Sequence, residues 1–215
     1  MRISLSNLYN SNLEFKYENI EFLSSKLKYS GDQSDLENLK NLGEYLGGQD
    51  LKGKRVLDMN SGCSGILGLY CLSQLNVQQV VFSTDSALLD SHIQENIILN
   101  DFTQSSQLLR LKLGVENLPL FLNSLSQPID IIIMTEPILY CSIEYLLELF
   151  STVSSLIQFQ RHQFINHHCY FLITYNVNEN NQFPIDKIVE ISKQFTFKFQ
   201  LNHTNNSLKI LKFHI

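Results

Sequence analysis

From Lys54 onward, short apolar runs alternate with stretches of helical spacing, and polar or glycine turns separate them. Lys54–Met59 predicts a strand entering a Ser/Gly turn, and Ile66–Leu75 predicts the helix that follows. Val80–Thr84 and Leu88–Leu99 repeat the pair. Leu108–Leu113 and the isoleucine-rich Ile129–Met134 predict a third and a fourth strand. Ile143–Ile157 is amphipathic with a helical period, Tyr170–Tyr175 reads as a fifth strand and Ile185–Gln194 as another helix. Upstream, Asp35–Leu46 sets Leu36, Leu39, Leu42, Tyr45 and Leu46 at helical spacing. Asp32 or Ser34 is available to cap that helix, and Gly47 and Gly48 to end it. Before Gly31 the pattern is irregular, with an alternation at Leu13, Phe15 and Tyr17 and a wider spacing of Ile20, Leu23 and Leu27.

Strands alternating with helices predict a parallel sheet covered on both faces, and the near-continuous apolar strands agree with burial on both sides. The ending differs. Phe195–Leu201 and Leu208–Ile215 alternate apolar and polar residues around His203, Thr204, Asn205 and Asn206, which predicts a closing antiparallel hairpin. The expected fold class is therefore α/β, a Rossmann-like seven-strand sheet, mostly parallel, finished by that hairpin. Residues 1–50 read as an N-terminal lid and lead-in helix, and residues 51–215 as the main domain.

Composition narrows the function. At 215 residues there is room for one sizeable core. A formal charge of −5 removes the usual driving force for binding a nucleic acid or a membrane surface. Cys63, Cys71, Cys141 and Cys169 show no C-x-x-C spacing, and the N-terminus lacks the apolar run of a secretory leader, which points to reduced thiols in cytoplasm or nucleus. No segment approaches the apolar length of a membrane span. His167, His168 and Cys169 lack a spaced partner pair, so they read as a strand-edge loop and no metal is expected.

In a doubly wound sheet a ligand sits at the carboxyl ends of the strands, beside the first strand of the series. VLDMNSGCSGILGL supplies a turn there. Gly62 and Gly65 remove Cβ atoms where the backbone bends, and the helix beyond offers free N–H groups, although a Ser/Gly turn is also a plain loop. VVFSTD ends in Asp85, whose carboxylate can accept bonds from both ribose hydroxyls of an adenosine ligand. Asp85 would equally cap a helix, a role open to Ser86. The fourth strand ends in Thr135, Glu136 and Pro137 with Tyr140 following, a polar cluster at the same edge that also suits a helix start. Tyr175 and Asn176 end the fifth strand, where they would line the same cleft.

Together VLDMNSGCSGILGL, VVFSTDSALLDSHIQENIILND and IDIIIMTEPILYCSIEYL resemble methyltransferase family sixteen, which includes calmodulin-lysine, elongation-factor-lysine and ribosomal-protein-histidine methyltransferases. The glycine turn is most similar to the calmodulin-lysine version. The resemblance implies S-adenosylmethionine as cofactor, a protein substrate or protein complex as partner, and a monomer or hetero-complex subunit that methylates lysine before histidine. It places Asp58, Asn60, Ser61, Gly62, Ser64, Gly65, Asp85 and Ser86 at the cofactor. Gly114, Val115 and Glu116 would lie near adenine and Thr135 near the methionine portion, while Glu136 and Tyr140 would orient the nucleophile. Three departures stand out. Asn60 replaces the family's usual glycine, the chain has no Trp so that Leu113 stands where one is usual, and Pro137 takes the place of an acid displaced to Glu136. They keep a second reading open, a catalytically degenerate fold acting as a binding or scaffold subunit.

Overall fold

The computed structural model describes residues 16–17, 20–21, 41–61, 65–85, 87–134, 142–164, 167–177, 183–203 and 208–215. Strands β1 (Lys16–Tyr17) and β2 (Ile20–Glu21) pair antiparallel. Residues 41–47 are helical (α1), and the Gly48 N–H donates to Tyr45 O as that helix ends. The earlier part of the helix expected over 35–46 lies outside the described residues.

Strand and helix then alternate: β3 (Arg55–Asp58), α2 (Ile66–Gln74), β4 (Gln79–Thr84), α3 (Ala87–Leu99) and β5 (Ser106–Arg110). A 3-10 turn (Val115–Asn117) leads to α4 (Leu118–Ser124), followed by β6 (Ile131–Met134), α5 (Ile143–Gln163), β7 (Tyr170–Asn176) and α6 (Ile185–Gln194). The series closes with β8 (Lys198–His203) and β9 (Leu208–His214). β3 to β9 form one seven-stranded sheet in the order β5-β4-β3-β6-β7-β9-β8, and β9 alone runs against its neighbours. This is the mostly parallel sheet with a closing hairpin that the pattern predicts.

Successive side chains of a strand point to opposite faces, so a strand apolar at every position needs a core on each side. Val56, Phe82, Ile131 and Ile133 meet Leu42, Leu46, Leu69 and Ile93 on one side. Leu57, Val81, Ile132 and Met134 meet Leu118, Leu149, Phe150 and Val153 on the other. The amino edge is tied by Arg55, only 3% exposed. Its backbone N–H donates to Asp130 Oδ2 at 2.8 Å and its Nε to Gln79 Oε1 at 2.8 Å, while Nη1 donates to the carbonyls of Gln127 and Pro128. One side chain thus joins β3, β4 and the entry to β6. Burial pulls the Arg55 guanidinium below its ordinary range, and the Asp130 carboxylate draws it back.

Four elements differ from the sequence reading, each for a local reason. The strand expected over 195–201 is β8 at Lys198–His203, because the Phe195 and Thr196 N–H groups close α6 on Ser192 O and Lys193 O, and His203, read as a turn residue, pairs with Lys209. The third strand of the series was expected over 108–113, but β5 runs Ser106–Arg110 because its only partner, β4, ends at Thr84, which pairs with Arg110 and accepts the last bond from the Leu111 N–H. Leu111 and Leu113, which lengthen the apolar run, pack beneath the helices instead. α4, with Pro119 in its first turn, is too short for its period to stand out, yet it buries Leu118 and Phe121. α5 continues past Ile157 because Gln160, a polar residue on the inward face, is buried and accepts a bond from the Ile129 N–H. His167 is engaged by backbone, its Nε2 lying 2.7 Å from Ile129 O. Among the described residues no helix is long and apolar enough to cross a membrane.

Candidate functional site

Asp58 closes β3 on the face that α2 covers, and it is 2% exposed. The Gly68 N–H in α2 donates to Asp58 Oδ2 at 3.1 Å. Burial pushes the Asp58 carboxyl up to about 7, and the Gly68 N–H acts in the opposite direction. The chain then bends. The Met59 N–H reaches Ile133 O at 2.8 Å, and Asn60 takes a left-handed conformation with φ 56°. Glycine suits that region best and Asn is among the few other residues that enter it readily, so Asn60 keeps the turn where the family has glycine.

Ser61 fastens the turn to β4. Its N–H donates to Ser83 O at 2.9 Å, its hydroxyl donates to Asp58 O at 2.6 Å and accepts from the Ser83 N–H at 3.2 Å. The Asn60 N–H adds a bond to Ser83 Oγ at 3.3 Å. Two residues on from Ser83, just past the end of β4, stands Asp85 with its side chain exposed. Asp58, Asn60, Ser61 and Asp85 therefore gather at the carboxyl edge of neighbouring strands.

Gly65, at φ 61°, is the N-cap of α2. A Cβ there would lie 3.0 Å from the Phe82 ring, so the glycine serves the packing of α2 on β4 as well as the bend. Gly68 is tighter still: its Cβ would stand 2.8 Å from Phe82 Cζ and 2.9 Å from Val80 Cγ1. Sequence reasoning missed Gly68. The signal was available in a second glycine three residues after Gly65, on the helix face turned to the strand.

Gly114, Val115 and Glu116 follow β5, whose last residue, Arg110, pairs with Thr84 at the end of β4. The Gly114 N–H donates to Thr152 Oγ1 at 2.8 Å, and the Glu116 carboxyl fills the space where a Gly114 Cβ would point. The three residues line an open depression of about 320 Å³ together with Leu147, Glu148, Ser151 and Phe195. Leu146, Leu149, Phe150 and Val153 are the buried face of α5, so Leu147, Glu148 and Ser151 look away from the sheet. Tyr175 is buried and donates its hydroxyl to Phe183 O at 2.9 Å, so it spends its polar group inside the fold rather than in a cleft. Gly62, Ser64, Ser86, Thr135, Glu136, Pro137 and Tyr140 lie outside the described residues.

A central strand entering a Ser/Gly turn and helix, an acid after the next strand, and one reversed strand in a seven-stranded sheet define the Rossmann-like methyltransferase class. The sequence profile of the lysine methyltransferase family, methyltransferase family sixteen, matches residues 19–184, and the chain belongs to that family. Its cofactor is S-adenosylmethionine. Solved structures share the fold at low identity. A SAM-dependent methyltransferase from Aquifex aeolicus is 14% identical, with 86% of this chain and 94% of that chain covered, at a TM-score of 0.57. A methyltransferase from Pyrococcus furiosus is 13% identical over 81% and 82% of the two chains, at a TM-score of 0.55. The N-terminal domain of human METTL16, solved in complex with SAH, is 10% identical over 83% and 67%, at 0.51. Comparison with curated protein sequences found no match.

The described residues fit this cofactor by the chemistry they offer. Asp85 presents an exposed carboxylate beside the turn, suited to a ribose diol. The N-terminus of α2 is capped by a glycine and makes no side-chain cap bond, leaving electropositive backbone for the carboxylate of an amino-acid group. Asp58 and Ser61, whose bonds run to the protein, build the turn rather than extend from it.

Proposed function

We propose that this family member is a protein N-methyltransferase acting on lysine, with histidine the second choice, and that its turn is of the calmodulin-lysine type. The observation that carries the reading is the turn after β3, fastened to the end of β4 with the Asp85 carboxylate exposed beside it. When bound, S-adenosylmethionine supplies a methyl group on a sulfonium centre, a good leaving group for in-line displacement. The protein's part is then to hold a neutral nitrogen in line with that carbon. Asp85 binds the ribose, Asn60 and Ser61 keep the turn in shape, and α2 offers its N-terminal amides. Glu136 and Tyr140 orient the acceptor nitrogen, and Glu136 takes up the proton that lysine sheds. The partner is a protein or protein complex rather than a nucleic acid.

Calorimetric titration with S-adenosylmethionine tests the cofactor half. Asp85→Ala is expected to weaken binding about tenfold or more, as the loss of a bond to a charged group does. An unchanged affinity would put the ribose elsewhere. Glu136→Gln is expected to lower methyl transfer to lysine, read by mass spectrometry, and to leave cofactor affinity intact. Equal turnover would remove Glu136 from the reaction. The second reading, a scaffold subunit with a degenerate site, draws on Asp58 and Ser61 spending their hydrogen bonds within the chain. No binding at millimolar cofactor would favour it.

A further inference from the structure

Charge is spread unevenly along this acidic chain. Residues 191–215 contain Lys193, Lys198, Lys209 and Lys212 and no Asp or Glu, although the formal charge of the whole is −5. Strand pairing gathers part of this surplus on one face. Lys198 stands opposite His214, which stands opposite Tyr170, and in the next row Gln200, Lys212 and Leu172 are aligned in the same way. Side chains aligned across a sheet share a face at a spacing of about 5 Å, and the next row on that face is about 7 Å away. Lys198 and Gln200 are exposed, and Lys212 extends its Nζ to 4.1 Å from the centre of the Tyr170 ring. His168, two residues before Tyr170, is exposed at the same end of the strands. None of Lys198, Lys212, His168 and His214 has an acidic partner among the described residues. Asp130, at the entry to β6, is taken by Lys54 at 3.4 Å and by the Arg55 N–H at 2.8 Å. The other face of β8 and β9 is apolar, and Phe199, Leu201, Leu211 and Phe213 join the core there.

β8 is also the outer strand of the sheet, with β9 as its neighbour on one side only. An edge strand turns half of its N–H and C=O groups away from its neighbour, where they form a template for another extended backbone. We propose that the free edge of β8 takes an extended, acidic segment of a partner protein, whose carboxylates lie over Lys198 with Lys212 and His214 behind it. The charges that crowd this corner are then neutralised by the segment, and its backbone continues the sheet. β8 has six residues, close to the usual length of a strand, so it pairs with a segment of similar length. A second copy of β8 is the wrong occupant, since Lys198–His203 brings a lysine and no acid to the row. A nucleic acid lacks the backbone amides that an edge pairs with, and the rest of the chain, which holds every Asp and Glu, repels a phosphate backbone. The corner is remote from the turn after β3. β7 runs from Tyr170 at this end to Asn176 at the carboxyl edge, roughly 20 Å at the rise of a strand. The surface therefore serves assembly with a partner, and it stands whether or not the chain transfers methyl groups.

Fluorescence anisotropy with the full chain tests this. The probe is a labelled octapeptide alternating glutamate and valine. The controls are the same peptide with lysine for glutamate, the acidic peptide with its amides N-methylated, and a labelled single-stranded RNA octamer. The acidic peptide is expected to bind, to weaken with added salt, and to lose about tenfold in affinity in Lys198→Gln/Lys212→Gln, while the three controls do not bind. Glutamine keeps part of the stem that covers Tyr170, so the double variant is expected to retain the parent's thermal transition and its affinity for S-adenosylmethionine. Lys198→Gln alone, at an exposed position, is expected to lose about threefold, and it decides the question if the double variant does not fold. Absence of binding by the acidic peptide, or binding unchanged in both variants, would overturn the surface. Equal binding by the N-methylated peptide would overturn pairing at the β8 edge. RNA binding that is lost in the variants would replace the acidic segment with a nucleic acid, and so overturn the choice of partner.

Discussion

β3 begins with Arg55 and ends with Asp58, two buried ionisable residues in the same four-residue strand, and the sheet treats them in opposite ways. Arg55 is surrounded by acceptors from Gln79, Gln127 and Pro128 with the Asp130 carboxylate close by. Asp58 has the Gly68 amide and the Ser61 hydroxyl, too little to offset burial, which carries its carboxyl up to about 7. The amino end is a closed electrostatic joint whose whole purpose is to fix three strands. The carboxyl end leaves its acid lightly held beneath a turn whose neighbour, Asp85, faces solvent. A strand can thus fix its neighbours at one end and support the turn of a ligand site at the other, and the balance between burial and partners around each charge tells the ends apart.

The contrast can be broken from either side. The largest effect belongs to Arg55→Met, which strands several buried acceptors and is expected to cost about 4 kcal/mol in urea denaturation. Arg55→Lys should recover only part, because one ammonium cannot replace the guanidinium fork. A loss below 1 kcal/mol would mean that the joint is not holding the edge.

Asp58 comes next. Its folded-state value of about 7 lies above the ordinary 3.8, so the folded state binds the extra proton between those values. The associated stability is fully present below pH 4 and is lost as pH rises through about 7, a swing of about 4 kcal/mol. Asp58→Asn should flatten this part of the profile, measured as denaturation midpoints from pH 4 to pH 8. An identical slope in the variant would assign the pH dependence to another group. The smallest effect is at Asn60, where Asn60→Gly should change stability by about 0.5 kcal/mol or less, while Asn60→Val should cost about 1–2 kcal/mol in a thermal melt.

Much of the architecture was legible because burial on both faces writes itself as uninterrupted apolar runs, as in Ile131–Met134. Where a polar residue does inward work the period breaks, and Gln160 concealed the last turns of α5 for that reason. The site was legible as a location more than as a set of contacts. Asp85 and the turn at Asn60 fall at the carboxyl edge as expected, but Asp58 and Ser61 turn out to bind the chain's own backbone. The bond from the Gly114 N–H to Thr152, 38 residues further along the chain, could not be read from spacing. Such a contact leaves no periodic trace.

The sheet order also bears on how the chain assembles. β8 precedes β9 in the sequence, yet it touches the sheet only through β9, which lies between β7 and β8. β9 is therefore the one strand that carries both bonds, seven residue pairs to β7 and six to β8, and whatever frees Leu208–His214 from β7 takes β8 off the sheet with it.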